Sequence, residues 1–284
     1  MNESKIFITG SNGQLGTALR KKYPKAQFTD IAELDITNRD SVAKFDWSSI
    51  EIIINAAAFT NVDGAETPEG RIAAWQVNAT ALAHLSHIAT KHNITLVHIS
   101  SDYVYDGMQQ IHTEDEKFSP LSVYGASKAA GDLLAATTPK HYILRTSWVI
   151  GEGNNFVKTM LDLANKNISP TVVGDQIGRL TFTSELVRAI DHLLVNTCSY
   201  GTYNVSNEGE SVSWADITRS VFEVIQRDDL TVTNSTTEEY YKGKTGIAPR
   251  PLQSTLNLGK LHSTGFTSRD WKDDLLEYIS KETS

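Results

Sequence analysis

Between residues 5 and 146, short apolar runs alternate with stretches of helical periodicity, and this pattern narrows the fold of the 284-residue chain more than any other feature. Strands covered on both faces read as unbroken apolar runs, and parallel neighbours need a crossover connection, usually a helix. Residues 5–9, 27–30, 51–55, 95–100 and 142–146 read as strands. Residues 15–22, 72–91 and 123–137 read as the helices between them, the last stopping before Pro139. Such regular alternation predicts an α/β fold built on a doubly wound parallel sheet. After Gly151 the pattern loosens. Helices are expected over 155–167, 184–195 and 213–226, and an extended segment over 171–173. Residues 231–251 are polar and broken by glycine and proline, so mostly loop is expected there. Residues 1–150 should therefore form the main sheet domain and 151–284 a smaller lobe packed on it, with some of its segments able to return to the main sheet.

Composition fits such a body and excludes other classes. With 40% hydrophobic and 21% charged residues, the chain can bury a sizeable core. A net charge of −8 argues against a general nucleic-acid binder, which needs clustered Lys and Arg to displace condensed counterions. A local pocket can still take an anionic small molecule. Cys198 is the only cysteine, so no intramolecular disulfide forms, and it reads as a small apolar core residue. The first apolar run, residues 6–8, is too short for a signal-peptide core, and no stretch approaches the roughly 20 apolar residues that span a bilayer. A cytoplasmic protein with no membrane partner is expected.

Gly10, Gly13 and Gly16 fall in ITGSNGQLG (8–16), directly after the first strand and opening the first helix. Glycines there have separate tasks: a tight turn, close approach of backbone N–H groups to a pyrophosphate, and close packing of helix on strand. The phosphates then meet the positive end of the helix. The spacing is GxxGxxG rather than GxGxxG. Its place between strand and helix, more than the pattern, points to a Rossmann-type dinucleotide site formed by Gly10, Asn12, Gly13, Gln14, Leu15 and Gly16. Asp30 lies 20 residues after Gly10, at the end of the second strand. A carboxylate there accepts hydrogen bonds from the adenosine ribose and repels a 2′-phosphate, so NADH should at least be tolerated beside NADPH. The competing reading of Asp30 is a solvated loop carboxylate. Asp35 and Ile36 are placed along the adenine.

Tyr124 and Lys128 are four residues apart at the start of a predicted helix, so both side chains project from one face. A free tyrosine, with its pKa near 10, is a reluctant acid–base at neutral pH. An ammonium close by is expected to stabilise the phenolate and draw that pKa toward the working range. YxxxK alone is common. It gains meaning from following ISSD (99–102) by one strand–helix unit in a chain that carries the glycine motif. Ser101, at the carboxyl end of the fourth strand, can hydrogen-bond a substrate carbonyl oxygen as charge develops on it. Ser100 is the competing choice, and a hydroxyl that only caps backbone is the plain alternative.

In these segments the chain resembles the extended short-chain dehydrogenases, and within them the dTDP-4-dehydrorhamnose reductase family. The resemblance runs through NAAAFTNVDGAE (55–66), VNATAL (77–82), SSDYVYDG (100–107) and SPLSVYGASKAAGD (119–132). It continues through RTSWVIGEGNNFVKTML (145–161), GDQIGRLTFTSEL (174–186) and APRPLQSTLNLGKL (248–261). It implies reduction of the C4 ketone of dTDP-4-dehydro-6-deoxy-L-mannose to dTDP-L-rhamnose by NADPH or NADH. It also implies a triad of Ser101, Tyr124 and Lys128, with Lys128 holding the nicotinamide ribose and Asn78 in support. Ala56, Ala57 and Ala58 would line the cofactor; Asp102, Tyr103 and Trp148 would face the deoxysugar; Asn155 and Arg250 would meet the nucleotide end. Tyr103 and Trp148 also read as plain core aromatics. Two departures stand out: Arg179-Leu180 follow Gly178 where the family has a small residue and then proline, and the segment after Tyr105 is short. Some members bridge a dimer through magnesium; no carboxylate cluster here calls for the metal, and a homodimer is compatible with the chain. The rival readings are a nucleotide-sugar epimerase or dehydratase, and a non-catalytic regulatory subunit of the methionine adenosyltransferase type.

Overall fold

Ile6, Phe7 and Ile8 are all buried, and successive side chains of a strand point to opposite faces, so this strand needs cover on both sides. The computed structural model describes residues 1–283. Five strands, β1 (Ile6–Thr9), β2 (Gln27–Thr29), β3 (Ile52–Asn55), β4 (Thr95–Ser101) and β5 (His141–Thr146), join an edge strand, Gly201–Asn204, in a wholly parallel sheet. The order is Gly201–Asn204, β5, β4, β3, β1, β2. It reverses between β1 and β3, so the crevice beyond their carboxyl ends is the switch point where open α/β sheets bind ligands. This is the expected Rossmann-type architecture.

The helices are α1 (Gln14–Lys22), α2 (Arg39–Lys44), α3 (Pro68–Trp75), α4 (Ala81–Lys91), α5 (Val123–Ala135), α6 (Phe156–Asn165), α7 (Thr183–Val195) and α8 (Trp214–Val224), before a C-terminal helix, Trp271–Glu282. Leu15 and Leu19 of α1 and Leu186 and Ile190 of α7 bury against Ile6, Ile8 and Leu144 on one face. Leu82, Leu85 and Ile88 of α4, with Val42 of α2, bury against Phe7, Ile53 and Leu96 on the other. At roughly 1.5–3 kcal/mol for each fully buried side chain of this size, the two helix layers hold the sheet between them and leave its carboxyl edge open.

The single helix expected over 72–91 is longer and interrupted. It starts at Pro68, where Thr67 accepts a hydrogen bond from the Gly70 N–H, and a π turn, Gln76–Thr80, separates α3 from α4. Hydrophobic periodicity carries no sign of one extra residue in a turn, and such bulges recur at functional sites.

Downstream, Ile150, Val157, Met160, Leu161, Val221, Phe222 and Trp271 form a second core. Short strand pairs border it: Val149–Ile150 with Thr181–Phe182, Ile177–Gly178 with Val212–Ser213, and Thr171–Val173 with Thr233–Ser235. Thus 231–251, expected to be mostly loop, carries one of these strands and a helical turn, Thr237–Tyr241. The chain also returns to the main sheet through α7 and Gly201–Asn204. The C-terminal helix was not anticipated, although Trp271, Leu275 and Ile279 recur at every fourth position and are its buried apolar residues. Among the described residues no helix is long and apolar enough to cross a membrane.

Candidate active site

At the end of β1 the chain turns through Gly10 at φ +65°, where a Cβ would lie 2.5 Å from the Ala57 backbone nitrogen. A Cβ on Gly16 would lie 2.3 Å from the Gly10 carbonyl oxygen. Only glycine allows this closeness at either position. Gly13 is the N-cap of α1 and has no side chain to cap with, so the positive end of α1 is left for another acceptor. From here a cavity of about 320 Å³ runs past Asp30, Asp35 and Ile36 and along Ala56, Ala57, Ala58 and Val77; no Lys or Arg lines it. A glycine cradle that a Cβ would fill, an uncapped helix start and an elongated cavity fit a dinucleotide.

The predicted cofactor residues divide by role. Asp30 accepts hydrogen bonds from the Asn12 N–H at 3.1 Å and the Ile31 N–H at 2.9 Å, which fixes its carboxylate at the cavity wall. Asp35 accepts from the Thr37 N–H and hydroxyl at 2.9 and 2.6 Å, so its carboxylate is engaged in its own turn. Leu15 packs into the core and does not line the cavity. Gln14 reaches across to donate to the Asn154 carbonyl at 3.2 Å.

Ser122 caps α5 by accepting from the Gly125 N–H, which sets Tyr124 in the first turn and Lys128 in the next. Ser101 ends β4, donates to Asp102 at 3.0 Å and accepts from the Tyr103 N–H at 3.1 Å. Ser101 also hydrogen-bonds the Tyr124 phenol. Ser100 is instead among the groups that hold down the pKa of Asp132, further along α5. Of the two serines, Ser101 is the one beside Tyr124.

Electrostatics departs from expectation. Burial pushes the Tyr124 phenol up to about 12; the Ser101 hydrogen bond opposes the shift, and the charges of Asp102 and Asp132 add to it. The expected lowering by Lys128 is not found, and desolvation of the phenolate sets the direction. Lys128 is 1% exposed and donates to the Ile99 carbonyl at 2.6 Å. Burial pushes its ammonium down to about 8, against the pull of Asp132.

Beneath the triad lies a buried polar network that periodicity alone did not single out. Asp132 pairs with Arg145 Nε at 2.9 Å, and Arg145 donates to Tyr105 Oη at 2.6 Å and the Glu114 carbonyl at 2.9 Å. His98 Nε2 is 3.8 Å from Asp132, His98 Nδ1 is 3.2 Å from Asn55 Nδ2, and the Thr9 hydroxyl donates to Asn55 Oδ1 at 2.6 Å. Burial, with the Lys128 charge, holds His98 well below its ordinary pKa and therefore neutral. One signal was legible: Asp132 follows Lys128 by four residues and so shares its helix face. Asn78, in the π turn, accepts from the Phe59 N–H at 2.8 Å and donates to the Phe59 carbonyl at 3.1 Å and Ser127 Oγ at 2.9 Å.

Around Ser101, Tyr124 and Lys128, Asp102 is 2% exposed, and burial raises its pKa to about 6, opposed by the nearby Ser254 and Ser101 hydroxyls. The Tyr103 ring stands edge to face on Tyr124. Trp148, at φ +48°, stacks on Trp214 with centroids 3.8 Å apart and belongs to the second core. Arg250 pairs with Asp63 at 2.9 Å and lies over the Tyr241 ring. Asn155 caps α6 and donates to the Gly151 carbonyl at 2.8 Å and Tyr278 Oη at 2.7 Å, so its amide is engaged in holding that loop.

A family model described as the RmlD substrate binding domain matches residues 4–284. The chain belongs to the RmlD family. The dTDP-4-dehydrorhamnose reductase of Aggregatibacter actinomycetemcomitans is 39% identical, over 95% of this chain and 96% of that protein. A solved dTDP-4-dehydrorhamnose reductase from Clostridium acetobutylicum is similar at TM-score 0.90 and 37% identity, covering 98% of this chain and 99% of that one. Another from Bacillus anthracis, in complex with NADP, gives 0.89 and 34%, with 98% of each chain covered.

Within this RmlD-family chain the departure at Arg179-Leu180 turns inward. Arg179 is buried and donates through Nη2 to the Leu256 carbonyl, while Leu180 packs in the second core. The Gly178 Cα lies close against the Trp148 ring: a Cβ there would meet it at 3.0 Å.

Proposed function

We propose that this chain reduces the C4 ketone of dTDP-4-dehydro-6-deoxy-L-mannose to dTDP-L-rhamnose with NADPH or NADH. The observation that carries the reading is the meeting of Ser101 with Tyr124, one helical turn before Lys128, at the carboxyl edge of the sheet that also presents the glycine cradle. The start of α1 would hold the pyrophosphate, Asp30 the adenosine ribose, Ala56, Ala57 and Ala58 the middle of the cofactor, and Lys128 the nicotinamide ribose. When bound, the dinucleotide supplies the hydride.

The chain supplies the proton. Held at about 12, the Tyr124 phenol stays protonated through the neutral range. As the substrate carbonyl oxygen becomes an alkoxide, a far stronger base, Tyr124 Oη passes its proton to it. Ser101 Oγ donates a hydrogen bond to the same oxygen and stabilises the growing charge. The phenolate left behind recovers a proton from solvent, with the Lys128 ammonium one turn away easing its charge. Residues 1–150 take the cofactor and the reacting end of the sugar, and the lobe 151–284 completes the substrate site. Asp102, Tyr103 and Trp148 are assigned to the deoxysugar and Arg250 to the nucleotide end; Asn155 serves by fixing the loop that enters α6. A homodimer is compatible with this reading. A cytoplasmic enzyme without nucleic-acid or membrane partners completes the reading.

The test is to mix purified protein with NADPH or NADH and enzymatically generated ketosugar and follow absorbance at the nicotinamide band. Stoichiometric loss of the reduced cofactor with formation of dTDP-L-rhamnose is expected. An epimerase or dehydratase would give a new sugar with no net consumption, and a regulatory subunit would give no turnover. Either result overturns the proposal.

A further inference from the structure

The segment NVDGAE touches both ends of the site, yet neither of its carboxylates enters the chemistry above. Its 3₁₀ turn, Gly64–Glu66, is preceded by Asp63, a residue type suited to cap it, but the Asp63 side chain makes no capping bond. It is directed across the molecule. Asp63 accepts from the Ala248 N–H at 3.0 Å and from Arg250 Nη2 at 2.9 Å, tying the loop before residue 251 to the main sheet domain. Arg250 also donates to the Ala248 carbonyl at 2.8 Å, and its remaining N–H donors are left for a ligand. Glu66 points the other way. It accepts at 2.9 Å from the Val123 N–H, the residue before Tyr124 in the first turn of α5, where that N–H has no partner within the helix.

The turn between them is rigid. Ala65 is fully buried beside Tyr124 and Ala74. Thr67 Oγ1 donates to the Gly64 carbonyl at 2.8 Å, and that carbonyl approaches Gly70 so closely that a Cβ there would lie 1.8 Å from it. The turn is thereby wedged against α3, whose continuation carries Asn78.

We propose that Asp63 and Glu66 are positioning residues that align the two ends of the site from one rigid turn. Asp63 holds Arg250 where its free N–H groups meet the substrate diphosphate, and Glu66 holds the first turn of α5 and with it Tyr124. The Asp63 half rests on the reading that Arg250 faces the nucleotide end. A guanidinium already fixed by a carboxylate loses less side-chain freedom when it binds an anion, which is how a nearby negative charge strengthens diphosphate binding here.

The experiment uses the full chain and four variants, Asp63→Ala, Asp63→Asn, Glu66→Ala and Glu66→Gln. It measures kcat and KM for the ketosugar, dTDP affinity by calorimetry, NADPH affinity by fluorescence and thermal midpoint. Asp63→Ala should raise KM and the dTDP Kd together by about tenfold with kcat and NADPH affinity kept, as loss of ground-state binding requires. Asp63→Asn, which keeps an acceptor for the Ala248 N–H, should recover part of this. Glu66→Ala should lower kcat about tenfold with dTDP affinity unchanged, and Glu66→Gln, whose amide oxygen still accepts, should restore most of it. Unchanged or tighter dTDP binding in Asp63→Ala overturns the Asp63 role, because the carboxylate would then be inert or a competitor of the diphosphate. A fall in kcat matching the rise in KM, or Glu66→Gln as slow as Glu66→Ala, overturns positioning. Wild-type protein that binds dTDP through Asp63 but never oxidises NADPH would keep the Asp63 role and reject the proposed reaction.

Discussion

The rings of Tyr103 and Tyr124 meet edge to face, with centroids 5.4 Å apart. That contact fixes the plane of the Tyr124 ring and leaves its hydroxyl as the group free to act. Tyr124→Phe keeps the contact and removes the oxygen. The fold and dinucleotide binding should survive while kcat falls about 10²–10⁴-fold, the usual worth of a general acid. Steady-state kinetics beside NADPH fluorescence titration checks this, and near-normal kcat in the folded variant would reject Tyr124 as proton donor.

Lys128 should cost stability and serve function. Its pKa falls from 10.5 to about 8 in the fold. The charged form is therefore penalised below pH 8; the penalty shrinks as pH rises from 8 and is gone above 10.5. Lys128→Met should stabilise the protein at pH 7 by about 1–3 kcal/mol, and add little near pH 10, while activity and cofactor affinity are lost. Urea melts at the two pH values read this directly; destabilisation at pH 7 refutes it. In the wild type, kcat/KM should decline above about pH 8 as the ammonium loses its proton.

Asp30 and the absence of any Lys or Arg along the cavity make a 2′-phosphate unwelcome. NADH should support turnover within about tenfold of NADPH, a gap of roughly 1.4 kcal/mol. Asp30→Ala should shift the ratio toward NADPH. Initial rates with both cofactors decide it, and an enzyme inert with NADH would remove Asp30 from the ribose.

Trp148 stacks on Trp214 from a left-handed backbone position, and its proposed second task is to pack against the deoxysugar. Trp148→Ala should lower unfolding free energy by about 2–3 kcal/mol, less than a fully buried tryptophan because it is half-buried. Use of the ketosugar should weaken with NADPH binding intact. Denaturant melts and the two affinities test both parts; loss of NADPH binding in parallel would leave Trp148 as packing alone.

The strands of the main sheet and the placing of Tyr124 and Lys128 on one helix face were legible because their signals are local: apolar runs, glycines at a strand–helix junction, a Tyr and a Lys one turn apart. What escaped the sequence depends on distance or on environment. The edge strand Gly201–Asn204 has few apolar residues and acquires its identity only by lying beside β5. The Arg250–Asp63 pair joins residues 187 apart. The direction of the Tyr124 shift follows from how completely the pocket excludes water, which no residue spacing encodes.

The π turn makes the region around Asn78 sensitive to length rather than composition. The turn already holds one residue more than an α turn, so a further insertion between Trp75 and Ala81 could not be absorbed and would rotate all that follows by about 100°. Asn78 would swing away from Phe59 and Ser127, and Leu82, Leu85 and Ile88 would leave the sheet. The exposed loop around Gly243 and Gly246 faces no such demand, since a side chain at either glycine would meet open space. Relatives of this chain should thus vary in length freely at that loop, and keep the helix from Pro68 to Lys91 at one fixed count of residues.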